Sequence, residues 1–258
     1  MTIRLADKSS IGLYKYIYYL IMVIYMAQIV PTTNRMIAGL SSPWIPFLIP
    51  IALTIFLVIL HPIKFFNKNL IIVLGICGVW ALLVTINKGL FSFSEQSFIF
   101  FLFYSIIVAY IHVQVYGKQL VPLYESIIVF LCKISLPLWF LSVLVPSLMS
   151  GIASYFPESN LGHNILYLYN YIDYGTEHYL RNSGCSWEPG RFAIMILLGL
   201  YCNMLRNGVK WNSNIFWLLI TLLTTMSTTG YSIAILMFSL AIVRSSYLKQ
   251  KVFFMLLV

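Results

Sequence analysis

The sequence predicts an all-α fold, a polytopic transmembrane helix bundle with one long extracytoplasmic loop. Three observations carry this. Of 258 residues, 60% are hydrophobic and only 9% charged, against about 25% charged in a soluble domain, and the mean hydropathy is +0.89. The apolar residues gather into runs close to the roughly 20 residues that cross a bilayer as a helix. Finally, 16 lysines and arginines face only 7 acids. In a soluble protein that excess would point to nucleic acid; between apolar runs it marks cytoplasmic loops, and an anionic lipid partner is a second cause.

The runs are Leu13–Val30, Trp44–Leu60, Leu70–Ile86, Phe98–Tyr116, Pro122–Val145 and Arg191–Leu205, followed by the longer Asn214–Val243. The first follows Arg4, Lys8 and Lys15 and lacks a small-x-small exit, so it reads as a retained helix and not a cleaved signal. Asn214–Val243 fits either one broken helix or a tight hairpin turning at Ser227-Thr228-Thr229-Gly230. Positive charge arbitrates. With the N-terminus inside, the hairpin puts Arg4, Lys8, Lys15, Lys64, Lys68, Lys118, Arg206, Lys210, Arg244, Lys249 and Lys251 inside. Only Arg35, Lys88, Arg181 and Arg191 fall outside. The positive-inside rule therefore favours the hairpin. A last run opens at Val252 and is still apolar at Val258. The reading is one integral membrane domain over 1–258, with about eight spans plus the start of another, in an N-terminal fragment of a longer chain.

Lys133 stands inside an apolar run, and Glu125 stands near its start. The reading is that Pro122–Phe130 lies flat on the inner surface and the span begins near Cys132, which leaves Lys133 interfacial. The same topology places Ser147–Gly190 outside. A loop this long is usually functional or disordered. Its tyrosines and its Ile165, Leu166 and Leu168 argue for order, and Asn164–Tyr174 is expected to form a short interfacial helix or a lid. The four cysteines include no Cys-x-x-Cys pair, and three lie in apolar runs, so neither a disulfide framework nor a zinc site is expected.

Chemistry is expected at Arg181–Arg191, which closes the longest polar interval and reads Arg-Asn-Ser-Gly-Cys-Ser-Trp-Glu-Pro-Gly-Arg. Proline is favoured at the first helical position, so Pro189 opens a helix with Glu188 at its cap. The free N–H groups and positive dipole end of that helix suit an anion. Arg181 and Arg191 add permanent charge in a geometry that matches phosphate oxygens. The bland alternative is a capped helix with Trp187 as an interfacial anchor and Arg191 snorkelling. Glu188 is open to two roles, general base or a partner that orients an arginine. His163 and His178 lie in the same loop and have the chemistry for proton transfer, although a lone loop histidine is more often only solvated. His61 and His112 read as structural. The hydroxyls of Thr224–Thr229, with Gly230, either satisfy the backbone at the turn or form a polar floor for sugar or phosphate. A nucleotide phosphate loop, His-Glu-x-x-His and Asp-x-Asp are all absent from the sequence, which argues against an intracellular nucleotide-driven enzyme.

Two features together, Arg181-x-x-Gly184-x-x-x-Glu188-Pro189-Gly190 opening a helix and a Thr225-x-Ser227-x-x-Gly230 turn between two short apolar stretches, resemble the O-antigen polymerase family, which is related to the O-antigen ligases. The resemblance covers mainly Arg181–Val243. It implies a multi-pass glycosyltransferase of the bacterial inner membrane, N-terminus cytoplasmic, that needs neither metal, nucleotide sugar nor other cofactor. Such enzymes polymerise undecaprenyl-diphosphate-linked oligosaccharide repeat units of O-antigen, capsule or exopolysaccharide at the outer face. The implied partners are that lipid-linked oligosaccharide, the lipid bilayer, a chain-length regulator and a flippase, with no nucleic acid. Arg181, Glu188 and Arg191 would be catalytic, with His178, Trp187, Gly190, Ser227 and Gly230 binding substrate. The chain departs from the family in ending before a second outer loop. Three alternatives stay open: an O-antigen ligase transferring glycan to lipid A–core, a transporter or flippase, and a non-catalytic membrane scaffold.

Overall fold

Within the described residues the apolar runs become helices. In the computed structural model the described residues are 12–28, 45–61, 68–88, 106–156, 158–159, 162–171, 181–186 and 188–244, and 80% of them are helical. The helices are α1 (Leu13–Gln28), α2 (Ile45–Leu60), α3 (Lys68–Lys88), α4 (Leu120–Leu144), α5 (Pro146–Ala153), α6 (Pro189–Asn207), α7 (Ser213–Thr224) and α8 (Thr228–Arg244). Residues 106–116 are also helical, and a 3-10 turn, Gly117–Gln119, leads into α4. The helical run Ile106–Leu144 is, among the described residues, the one both long and apolar enough to cross a membrane. Shorter apolar helices lie at Lys15–Ile24, Ile51–Leu60, Leu70–Val79, Ser213–Thr224 and Thr228–Ala241. The run expected from Val252 and the first part of Phe98–Tyr116 lie outside the described residues.

The chain divides into two compact units, Ile29–Leu120 and Met1–Gln28 with Val121–Val258. In the first, α2 and α3 leave Ile55, Phe56, Ile59, Ile71, Ile76 and Leu82 exposed. His112 Nδ1 donates to the Val108 carbonyl (2.7 Å), and the ring stacks on Tyr116, in keeping with a structural role.

The second unit holds the candidate site. Here α6 packs against both α7 and α8. Phe192, Ala193, Ile196, Leu197 and Leu200 bury one face of α6, while Ile194, Leu198, Tyr201 and Leu205 leave the other exposed. Close approach depends on small residues. A Cβ added at Gly199 would meet Ile128 and Leu218 at 3.2 Å. The hairpin expected in Asn214–Val243 is present as α7 and α8. Asn212 caps α7, its side chain accepting from the Ile215 N–H. The turn sits at Thr225–Ser227, starting two residues before the predicted Ser227–Gly230. Its left-handed residue is Met226 (φ 49°), whereas Gly230 is already helical.

Two expectations need correction. Pro122–Phe130 is part of one continuous helix, α4, which shows no break near Cys132. Glu125 is awkward in a bilayer only if unpartnered. Instead it is fully buried, accepting from Arg206 Nη1 (2.6 Å), Asn203 Nδ2 (2.7 Å) and Asn214 Nδ2 (2.5 Å). A buried carboxylate needs such partners. Lys133 is exposed, with its ammonium 5.6 Å from the Trp217 ring centroid, a cation–π distance.

The second correction concerns the loop. The fold is not wholly α, because a three-stranded antiparallel sheet, β1 (Glu158–Ser159), β2 (Gly162–Ile165) and β3 (Tyr169–Tyr171), fills part of it. Within Asn164–Tyr174, the expected helix or lid is a tight β2–β3 hairpin, and 172–180 lie outside the described residues. Leu166 (φ 50°) and Tyr167 (φ 60°) make the turn. The aromatic strand formers Tyr169 and Tyr171 pack with Ile165 onto Met149 and Ala153 of α5. Burial pushes the Tyr169 pKa up to about 12, against the opposing effect of its hydrogen bond with Ser142.

Candidate functional site

A cavity of about 470 Å³ opens where α6 begins and the α7–α8 turn ends. That is within the roughly 300–1,000 Å³ usual for ligand pockets. Arg181, Glu188, Gly190, Arg191, Ser227 and Gly230 all line it. So six of the eight predicted site residues, 36 or more positions apart across the two segments, converge on one space. His178 and Trp187 lie outside the described residues. His163 sits on β2, its Nδ1 3.3 Å from the Phe156 carbonyl, and does not line the cavity.

The local geometry follows from the sequence. Pro189 is the first residue of α6, and Glu188 is its N-cap with extended backbone (φ −141°, ψ 136°). The Glu188 side chain makes no capping hydrogen bond. It is exposed and reaches over Gly190, where an added Cβ would lie 3.6 Å from Oε1. It also acts electrostatically on Arg191, which is half-buried. A carboxylate at this helix start therefore keeps its oxygens for a ligand or an arginine and spends none on the cap.

Arg181 is half-buried, and its Nε donates to the Thr225 carbonyl at 3.1 Å. That bond fixes one edge of the guanidinium and leaves the plane directed by the α7–α8 turn. Gly184 explains its place in the motif. It has φ +52°, and an added Cβ would lie 2.3 Å from the Phe192 ring. Loop and helix can touch here only through a glycine.

The hydroxyl cluster divides between two jobs. Thr221, Thr224 and Thr225 donate to the Trp217, Thr221 and Leu222 carbonyls in their own helix. Ser227 caps α8 by accepting from the Gly230 N–H at 3.2 Å. Its hydroxyl is thus engaged with the helix it starts. Gly230 is tight against Ala193, with an added Cβ 3.1 Å away, so it serves the α6–α8 contact as well as the cavity wall. Thr228 and Thr229 are exposed in the cavity wall.

Two helix N-termini, those of α6 and α8, therefore meet at one cavity with two guanidiniums and one carboxylate. Each N-terminus contributes a positive dipole end, although Pro189 brings no N–H to α6 and Ser227 already takes the Gly230 N–H of α8. Ala193, Ile194, Leu197, Met226 and Ile233 make the apolar part of the lining. The arrangement can hold a polyanion against an apolar wall. No metal-binding group of three or more His, Cys, Asp or Glu occurs among the described residues. Cys185, in the same loop as Arg181, is fully buried, and burial pushes its pKa up to about 12. Comparison with family models, with characterised proteins and with solved structures finds no match.

Sequence reasoning missed Asn182. It is fully buried and bonds to Thr224, Ser135 and Gly184. The Asn-x-Gly spacing of an Asx turn was the available signal. It also missed the Glu125–Arg206 pair, 81 residues apart, for which no local signal exists.

Proposed function

We propose that this chain is a membrane glycosyltransferase acting on an undecaprenyl-diphosphate-linked oligosaccharide at the outer face of the bacterial inner membrane, as a repeat-unit polymerase of O-antigen, capsule or exopolysaccharide. The observation that carries the reading is the convergence of Arg181, Arg191 and Glu188 with two helix N-termini on one cavity with an apolar wall. The resemblance of the same residues to the O-antigen polymerases supplies the reaction class. The exposed apolar stripe Ile194, Leu198, Tyr201, Leu205 supports a lipid-facing α6. At 19 residues that helix is about 28 Å long, close to the roughly 30 Å of a hydrocarbon core.

In this reading the lipid diphosphate sits between Arg181 and Arg191 and the helix ends. The acceptor hydroxyl oxygen bonds to the anomeric carbon of the donor sugar. The bond from that carbon to the diphosphate oxygen breaks, and undecaprenyl diphosphate leaves with the electron pair. Charge grows on the leaving group, so preorganised arginines and N–H dipoles stabilise the transition state more than the ground state. The hydroxyl proton passes to Glu188 or to water. Thr228 and Thr229, exposed in the cavity wall, would bind sugar hydroxyls.

A glycan-ladder gel tests this, using a deletion strain complemented with wild type or Arg181→Ala at equal expression. Long chains with the wild type and single repeats with the variant are expected. A ladder retained on the carrier lipid but lost from the lipid A–core would establish the ligase alternative. Unchanged glycan in both compartments would sink both and leave the transporter and scaffold readings.

A further inference from the structure

We infer that Asn182 is the positioning residue that holds Arg181 in the cavity, an inference that rests on the anion-site reading above. Asn182 has no exposed surface. Its backbone N–H donates to the Thr224 carbonyl at 2.9 Å. Its Nδ2 donates to Thr224 Oγ1 at 2.9 Å and to Ser135 Oγ at 3.4 Å. Its Oδ1 accepts from the Gly184 N–H at 2.9 Å. Arg181, one residue earlier, bonds the next carbonyl of the turn, that of Thr225. Two consecutive loop residues are thus keyed to two consecutive residues at the end of α7.

The keying extends behind Asn182 as well. The Gly184 carbonyl accepts from the Asn170 N–H at 2.7 Å, and Phe192 blocks any shift of Gly184 toward α6. Asn182 is the fixed point from which the Arg181 side chain projects. Removing its side chain leaves the Thr224 hydroxyl and the Gly184 N–H buried without this partner, which is costly. The loop would relax, and the guanidinium would lose its direction even though its charge remains. Displacements on the order of 1 Å at such groups cost about 100-fold in productive binding of a transition state.

A double-mutant cycle on the purified full chain in nanodiscs tests this, with inorganic pyrophosphate as the probe and calorimetry as the readout. Wild type is expected to bind and Arg181→Ala to bind more weakly. Asn182→Ala is expected to weaken binding about tenfold with Arg181 present and less than about twofold in the Arg181→Ala background. Thr224→Val, which removes the acceptor from the other side, is expected to act in the same sense and carries the cycle should Asn182→Ala not fold. The melting temperature should fall equally in both backgrounds, so stability alone cannot produce the coupling. Equal weakening in both backgrounds, or none, would overturn the positioning role while leaving the anion site intact. A wild type that ignores pyrophosphate, or an Arg181→Ala variant that binds it unchanged, would instead overturn the anion site and the inference with it.

Discussion

Arg181 shows why residue type and not just charge matters at this site. Its Nε is committed to the Thr225 carbonyl, so the rest of the guanidinium is aimed. Lysine carries the charge but not the planar fork. Arg181→Lys is therefore expected to lose most of the activity that Arg181→Ala loses, measured as polymer length on the ladder gel. Gly184 is constrained twice, by φ +52° and by Phe192. Gly184→Ala is expected to cost at least about 2 kcal/mol of stability, read by thermal unfolding in detergent. Cys185 tests the burial of the same loop. Its thiol is raised from 9.0 to about 12, desolvation by burial being the main cause. The sign follows directly: its contribution to stability is full below pH 9.0 and is lost as pH rises toward about 12. Maleimide at pH 8 is expected to leave Cys185 unlabelled in the native protein and to label it after denaturation.

At the scale of elements, the cavity exists because α8 can lie against α6. Gly230 is the contact, within 3.1 Å of Ala193 for an added Cβ. Alanine gains roughly 1 kcal/mol of helix propensity over glycine, and a shift of a few tenths of an ångström relieves its Cβ. Gly230→Ala is thus expected to fold, while Gly230→Val separates the helices and is expected to lose both stability and activity. Ala193→Gly should partly restore the latter, in paired melting and ladder measurements. At the other end of α6, Glu125 ties α4 to Arg206 and Asn203, and through Asn214 to α7. Glu125→Ala strands those donors and is expected to cost about 3–5 kcal/mol, visible as a lower melting temperature with pyrophosphate affinity unchanged. The helices, the Pro189 start and the α7–α8 hairpin were legible because apolar periodicity, proline and charge bias are local signals. The sheet at Glu158–Tyr171 was not, since its strands are two to four residues long and its β2–β3 turn is made by Leu166 and Tyr167, not by glycine or asparagine. The turn position was misjudged for a similar reason: Gly230 advertised a turn, and Met226 made it.

For the whole molecule, the site was legible as two sequence segments but its depth was not. Arg181–Arg191 and Ser227–Gly230 could be named from charge, Pro-Gly and hydroxyl content. That α6 and α8 point both N-termini at one cavity depends on antiparallel packing through α7, which no window of sequence displays. Membrane crossing rests on composition, on the run Ile106–Leu144 and on exposed apolar faces, and the cavity is useful to a lipid-linked substrate only if it opens on the outer side. One measurement joins topology to ligand. Thr229→Cys, in a background with Cys77 and Cys202 replaced by serine, is labelled in spheroplasts with a membrane-impermeant maleimide, then in proteoliposomes with and without undecaprenyl diphosphate. The expected result is labelling from outside, with protection by the lipid diphosphate that disappears when Arg181 and Arg191 are both alanine. Labelling only after the membrane is opened, or labelling that the lipid leaves unchanged, would contradict an outward-facing diphosphate site.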